Sequence, residues 1–194
     1  MNKVSELQIR KSKGFFVSSP AMNLEKALTA PYSQSGVRKI ARYVGKDSTK
    51  FKLLIDQLLN PDHKKIPLAA GSMSICVERH PLLLKAYVKK LTEAAAKNTA
   101  TDSLKRNVLR ALQFVKLSSA DQGIVADFCF EVLTNRKEAI AIRVFAMTVL
   151  GNIAHEHPDL KQELALLLES EMPLGSPGYV SRAKKVLRQL QQDK

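Results

Sequence analysis

The sequence predicts an all-α protein, a right-handed alpha-alpha superhelix of about four stacked helical hairpins with a closing C-terminal helix. Three observations lead there. Apolar residues recur every three to four positions through segments of roughly ten to fifteen residues, which puts one wide apolar stripe on each helix. Short polar breaks carrying Gly, Pro, Asn, Asp or Ser separate these segments. The pattern also repeats. A shift of 77 residues carries Ala69 onto Ala146, Met73 onto Leu150, Cys76 onto Ile153, His80-Pro81 onto His157-Pro158, Leu83 onto Leu160 and Leu91 onto Leu168. A shift of 38 carries Leu104, Val108, Ala111, Leu112 and Val115 onto Ile142, Ala146, Val149, Leu150 and Ile153. Repeats near 40 residues with two helices each form solenoids, because one hairpin cannot bury its apolar face alone.

Residues 1–34 read as a basic N-terminal arm, partly flexible, without sustained periodicity and broken by Gly14, Pro20 and Pro31. One short helix near 23–29 is expected in it, with Asn23 as cap and Leu24, Ala27 and Leu28 docked. Residues 35–192 form a single solenoid domain. Its first helix covers 36–44. After Gly45, Asp47 or Ser48 caps a helix burying Phe51, Leu54, Ile55, Leu58 and Leu59, and Asn60-Pro61-Asp62 stops it. The next, over 65–78, tolerates Pro67 in its first turn and turns Ala69, Ala70, Met73, Cys76 and Val77 inward. His80-Pro81 ends it, and one partner helix over 82–96 buries Leu84, Tyr87, Val88, Leu91 and Ala95.

Ser103 is the expected cap of a helix over 104–115, and residues 118–121 break the chain again. A helix over 124–133 then packs Val125, Phe128, Cys129, Val132 and Leu133. The most apolar stretch is 141–154, with Ile142, Phe145, Ala146, Val149, Leu150 and Ile153 on its stripe and small Ala146 and Gly151 to let neighbours approach. Its partner covers 160–169 through Leu160, Leu164, Leu167 and Leu168. Two prolines and two glycines within 172–178 interrupt the array before a last helix over 179–190.

Composition narrows the class. With 45% hydrophobic residues in 194, the chain has ample material for a core. Cys76 and Cys129 lie far apart on apolar segments, as small buried hydrophobes of a reducing compartment would. No apolar run is long enough for a signal-peptide core or a membrane span, so the expected address is the cytoplasm, with no membrane contact. The charge is uneven. Residues 1–100 carry 18 Lys/Arg against 7 Asp/Glu, a net of +11, whereas residues 101–194 carry 13 against 11, a net of +2. Such a front half attracts nucleic acid, an acidic protein or an anionic surface, or simply keeps the protein soluble.

The run from about Ser35 to Leu190 resembles a family of short bacterial HEAT-like proteins, an armadillo-type fold. The resemblance is carried by KRNVLRALQF (105–114), DFCFEVL (127–133), VFAMTVLGNIA (144–154) and SRAKKVLRQL (181–190). It implies an alpha-solenoid scaffold. Members of that family often carry an adenylosuccinate lyase label, which the residues do not support. Lyases of that superfamily use a Ser-Ser-x-Met-Pro-x-Lys-x-Asn-Pro loop, whereas the nearest stretch here, Gly71-Ser72-Met73-Ser74, falls inside an expected helix.

Catalytic, metal and cofactor motifs are absent from the expectations. Gly45-Lys46 lacks the glycine five residues earlier that a phosphate loop needs, since Ile40 stands there. His155 and His157 are two apart and would point in different directions on a helix, with Pro158 ending the run before a third ligand. Cys76 and His80 are four apart, but the cysteine falls on the apolar stripe, where no accessible thiolate forms.

A binding function has more behind it. In stacked hairpins of this type the second helices line the concave side, so their polar positions form the expected partner-binding groove: Lys50, Lys52, Lys85, Lys89, Lys90, Asp127 and Glu131, with Glu163 beyond. The groove is basic at its front and acidic at its rear. The expected function is a non-enzymatic scaffold or adaptor that binds another protein there. The alternative is nucleic-acid binding through the basic N-terminal half, by fold-level analogy with HEAT-like proteins that repair alkylated DNA, although a chain without tryptophan offers little for base stacking.

Overall fold

The computed structural model describes residues 22–59 and 65–192. Most of the expected basic arm and the Asn60-Pro61-Asp62 stop lie outside the described residues. Among those described, every regular element is helical. The short helix α1 (Leu24–Leu28) is capped by the Asn23 side chain, which accepts from the Lys26 N–H at 3.0 Å, and it docks Leu24 and Leu28.

Four hairpins follow. The first is α2 (Gln34–Val44) with α3 (Ser48–Leu59). The second is α4 (Ile66–Arg79) with a 3-10 helix (Pro81–Tyr87) running into α5 (Val88–Ala96). The third is α6 (Asp102–Leu112) with α7 (Ser119–Thr134), and the fourth α8 (Ile140–Ala154) with α9 (Pro158–Glu171). After a short 3-10 turn (Met172–Leu174), α10 (Pro177–Gln191) closes the array. The arrangement is solenoid-like, in two rows. In the first row α2, α4, α6, α8 and α10 pack side by side in succession. In the second row, α3, α7 and α9 each pack mainly onto the following or their own first-row helix, whereas α5 packs onto both α6 and its second-row neighbour α7.

Why α8 is so apolar follows from its position. It touches α6, α7, α9 and α10 at once, and Ile142, Ala146, Met147, Val149, Leu150, Gly151, Ile153 and Ala154 are all buried. A helix surrounded on most sides needs apolar residues nearly all round. Gly151 eases one close approach, since a Cβ there would stand 3.1 Å from Val186 of α10. Gly71 plays the same part between α4 and Val37 of α2, also at 3.1 Å.

Several local expectations need correction. Leu59 is 39% exposed, because Phe51, Leu54, Ile55 and Leu58 already complete the buried stripe of α3. Residues 82–96 are not one α-helix. Pro81 begins a 3-10 segment, tighter than an α-helix, in which Leu82 is 74% exposed, and α-geometry starts only at Val88. The cap of α6 is Thr101, whose hydroxyl accepts from the Leu104 N–H at 3.3 Å, not Ser103. Helix α7 begins at Ser119 rather than 124, because Ser118 caps it instead of breaking the chain.

One buried polar cluster ties the fourth hairpin to its neighbours. Arg143 of α8 donates through Nε and Nη2 to the Leu133 carbonyl at the end of α7, at 3.1 and 2.9 Å, and through Nη2 to Glu171 at 3.0 Å. Its guanidinium lies 4.7 Å from the ring centroid of Tyr179 in α10. Glu171 also takes a two-pronged contact from Arg136, at 2.8 and 3.2 Å. The cluster therefore joins α7, α8, α9 and α10 at one point, and Arg143 satisfies a helix-end carbonyl that has no partner within its own helix.

Candidate functional site

All seven expected partner-binding residues lie in the second row: Lys50 and Lys52 on α3, Lys85 on the 3-10 segment, Lys89 and Lys90 on α5, Asp127 and Glu131 on α7. Their settings differ. The Lys50 ammonium turns back toward the α2–α3 corner, 4.4 Å above the Tyr43 ring, 3.4 Å from the Tyr43 carbonyl and 3.7 Å from Asp47. Asp47 in turn accepts from the Lys50 and Thr49 N–H groups that begin α3, which holds its carboxyl below the usual range. Lys52 pairs with Asp56 at 2.7 Å, and that hydrogen bond raises its pKa. Lys85, Lys89, Lys90, Asp127 and Glu131 are exposed, and their side chains make no hydrogen bond or ion pair among the described residues.

Three grooves run along the corner edge of this row. One of about 580 Å³ lies between the start of α3 and the 3-10 segment, with Phe51, His80, Pro81, Leu83 and Tyr87 in its walls. A second, about 390 Å³, lies between α5 and the start of α7, bordered by Lys85, Val88, Leu117 and Asp121. The third, about 560 Å³, lies between α7 and α9, bordered by Gly123, Ala126, His157, Pro158 and Leu160. The first and third are repeat-equivalent, since His80-Pro81 and Leu83 fall on His157-Pro158 and Leu160. Both corners have the same cause. The residue before proline is pushed out of helical geometry, and both histidines sit at φ −137°.

Neither cysteine lines these grooves. The Cys76 thiol is buried against the Ala41 carbonyl at 3.6 Å, and burial pushes its pKa up to about 11. Cys129 is more deeply enclosed and shifted further in the same direction. His157 meets the Gln122 side chain at 2.6 Å, and Gln122 donates to Glu156 at 2.9 Å, so this histidine helps fasten the α8–α9 corner to α7. Among the described residues, no three His, Cys, Asp or Glu are placed to hold a metal ion, and no helix is long and apolar enough to cross a membrane.

These hairpins, their two-row packing and their equivalent His-Pro corners are those of a repeat array, and the sequence matches the HEAT repeat domain family over residues 24–190. The chain belongs to that family. No curated protein and no solved structure gives a significant match. The match to the HEAT repeat family starts with α1, which packs against α2.

A second charged surface of this HEAT repeat protein escaped the sequence. The first-row helices carry twelve Lys/Arg against two Asp/Glu, a net of +10, whereas the second-row elements carry six against nine, a net of −3. Among the described residues, every arginine that lies in a helix lies in the first row. On the outer face of that row, a groove of about 370 Å³ runs over α4, floored by Gly71 and Ile75 and bordered by Gln34 of α2 and Ser103, Arg106 and Arg110 of α6.

Proposed function

We propose that this HEAT repeat protein is a non-enzymatic scaffold that binds another protein through the outer face of its second row, in the cytoplasm. The observation that supports this best is the line of three grooves along the row, two of them repeat-equivalent. Each offers a largely apolar recess at a hairpin corner, and exposed Leu82 stands at the rim of the first. Between and beside them the exposed charges run from Lys85, Lys89 and Lys90 to Asp127, Glu131 and Glu163. A partner segment with apolar anchors, acidic at one end and basic at the other, matches that order. The free, buried thiols suit a reducing compartment.

The test is co-purification at two salt concentrations with the wild-type chain and with Lys85→Glu/Lys89→Glu/Lys90→Glu. The expected result is one partner recovered reproducibly by the wild type and lost by the variant. No reproducible partner, or equal recovery by both, would sink the proposal. Nucleic-acid binding is the second functional reading, and one observation favours it: the placement of the arginines.

A further inference from the structure

We infer that the outer face of the first row, over α2, α4 and α6, binds a nucleic-acid duplex through its phosphates. This goes beyond the protein-binding proposal, uses the opposite side of the molecule and stands independently of it. Three observations converge on one surface.

The first is the kind of charge. Arg38, Arg42, Arg106 and Arg110 stand on α2 and α6, and Arg38, Arg42 and Arg106 are exposed with no hydrogen bond or ion pair among the described residues. A planar guanidinium grips a phosphate in two-pronged fashion, whereas an ammonium acts as a point charge. The second row, by contrast, holds only lysines as its basic residues.

The second is the geometry. Arg38 and Arg42 are four apart on α2, as are Arg106 and Arg110 on α6, so each pair forms a rail along its helix. Between the rails α4 shows Gly71 and Ile75, which leave the shallow groove that Gln34 and Ser103 border with hydrogen-bonding groups. Two helix spacings separate the rails, roughly 16–20 Å. That is the scale of a B-form major groove, about 12 Å wide, together with its flanking phosphates.

The third is what opposes anions there. Glu78 is the one acidic residue on α4, and it is already held by Arg110 at 2.9 Å. Helix α2 has none. The duplex is favoured over a single strand because stacking platforms are scarce. Tyr32 and Phe114 are the exposed aromatics among the described residues, and only Tyr32 borders this groove.

Fluorescence anisotropy with a 20-base-pair DNA duplex at 50 and 200 mM salt tests the inference, with helicity checked by circular dichroism. Three phosphate contacts, from Arg38, Arg42 and Arg106, predict a fall in affinity of about 40-fold between the two salts. Arg38→Ala/Arg106→Ala should lower the slope of log affinity against log salt by about 1.8, and Arg38→Lys/Arg106→Lys should keep most of the slope. Lys85→Ala/Lys89→Ala/Lys90→Ala should leave it unchanged, which separates this face from the protein-binding one. A matched RNA duplex that binds equally or better supports the inference. No binding at 50 mM salt overturns it, as does an equal loss of slope from the second-row variant. So does competition by polyglutamate that matches DNA charge for charge, since an acidic protein surface would then serve as well.

Discussion

Replacing Arg143 with alanine removes the one side chain that touches the end of α7, the end of α9 and the start of α10 together. Two donations to the Leu133 carbonyl, one to Glu171 and the contact with the Tyr179 ring all disappear. Arg143 is 8% exposed, so water does not readily take its place. A hydrogen bond involving a charged group contributes about 1.5–3 kcal/mol, and a cation over a partly buried ring about 0.5–2. Glu171 keeps Arg136, which spares the larger penalty of a stranded buried charge. The two donations to Leu133 share one acceptor and Glu171 keeps its other partner, so the net loss is one charge-assisted bond plus the ring contact. That is about 2–5 kcal/mol for Arg143→Ala, read from urea unfolding followed by circular dichroism. Arg143→Lys keeps the charge but reaches one acceptor at a time, and should lose about half as much. In a linear array the damage should stay local. A lowered m-value, with α9 and α10 melting ahead of the rest, is the expected signature of that uncoupling. A loss below about 1 kcal/mol for Arg143→Ala, or a lysine variant as stable as the wild type, would refute the reasoning.

Four further outcomes follow from the same geometry. The Tyr179 hydroxyl is buried with no hydrogen-bond partner among the described residues, so Tyr179→Phe should gain about 1 kcal/mol in urea unfolding, and a loss of that size would reveal a bound water. The hydrogen bond from Arg136, with that from Arg143, holds the Glu171 carboxyl below its usual range against the opposing effect of burial. A carboxyl with a lowered folded pKa stabilises above its unfolded value, about 4.3, and that stability is lost as pH falls through the folded pKa; Tm against pH should therefore fall less steeply below about pH 4 in Glu171→Gln. Gly151→Ala should be nearly neutral, its helix propensity gain of about 1 kcal/mol offsetting the 3.1 Å approach to Val186, while Gly151→Val should cost about 2 kcal/mol and recover partly with Val186→Ala, all by thermal melts. Cys76 and Cys129 should resist a disulfide reagent at pH 8 until urea unfolds the chain, and rapid labelling of the native protein would mean that α4 or α7 opens locally.

Most of the fold was legible because its signals are local and periodic. The three-to-four spacing marked the helices, Asn23 marked the cap of α1, and the recurrence of His80-Pro81 at His157-Pro158 marked two equivalent corners. What failed was decided by neighbours or by competing local chemistry. Leu59 reads as core on a helical wheel, yet a stripe is buried only as far as another helix covers it, and among the described residues the cover of α3 ends at Leu58. Thr101 and Ser103 are equivalent caps in sequence, and where the chain turns selects between them. The 3-10 segment after Pro81 has no counterpart after Pro158, where α9 starts at once, although both corners carry the same dipeptide. The candidate site was legible in part for the same reason. The second-row positions of the lysines and acids could be counted off along each helix, whereas the grooves between helices depend on how the hairpins splay.

The charge pattern shows why a sum over half the chain misleads in a two-row array. Residues 101–194 carry a net of only +2, which reads as neutral. Within that half, α6, α8 and α10 together carry +7, while α7 and α9 together carry −6. The chain alternates between rows about every 19 residues, half of the 38-residue repeat, so any longer window averages one face against the other. Two layers of helices, each about 10 Å across, separate the outer surfaces. The Debye length at physiological salt is about 8 Å, so each surface presents its own field to its own partner. A saturating nucleic-acid duplex on the arginine face should therefore leave the affinity of a protein partner on the second row unchanged within about twofold, unless binding alters how the hairpins stack.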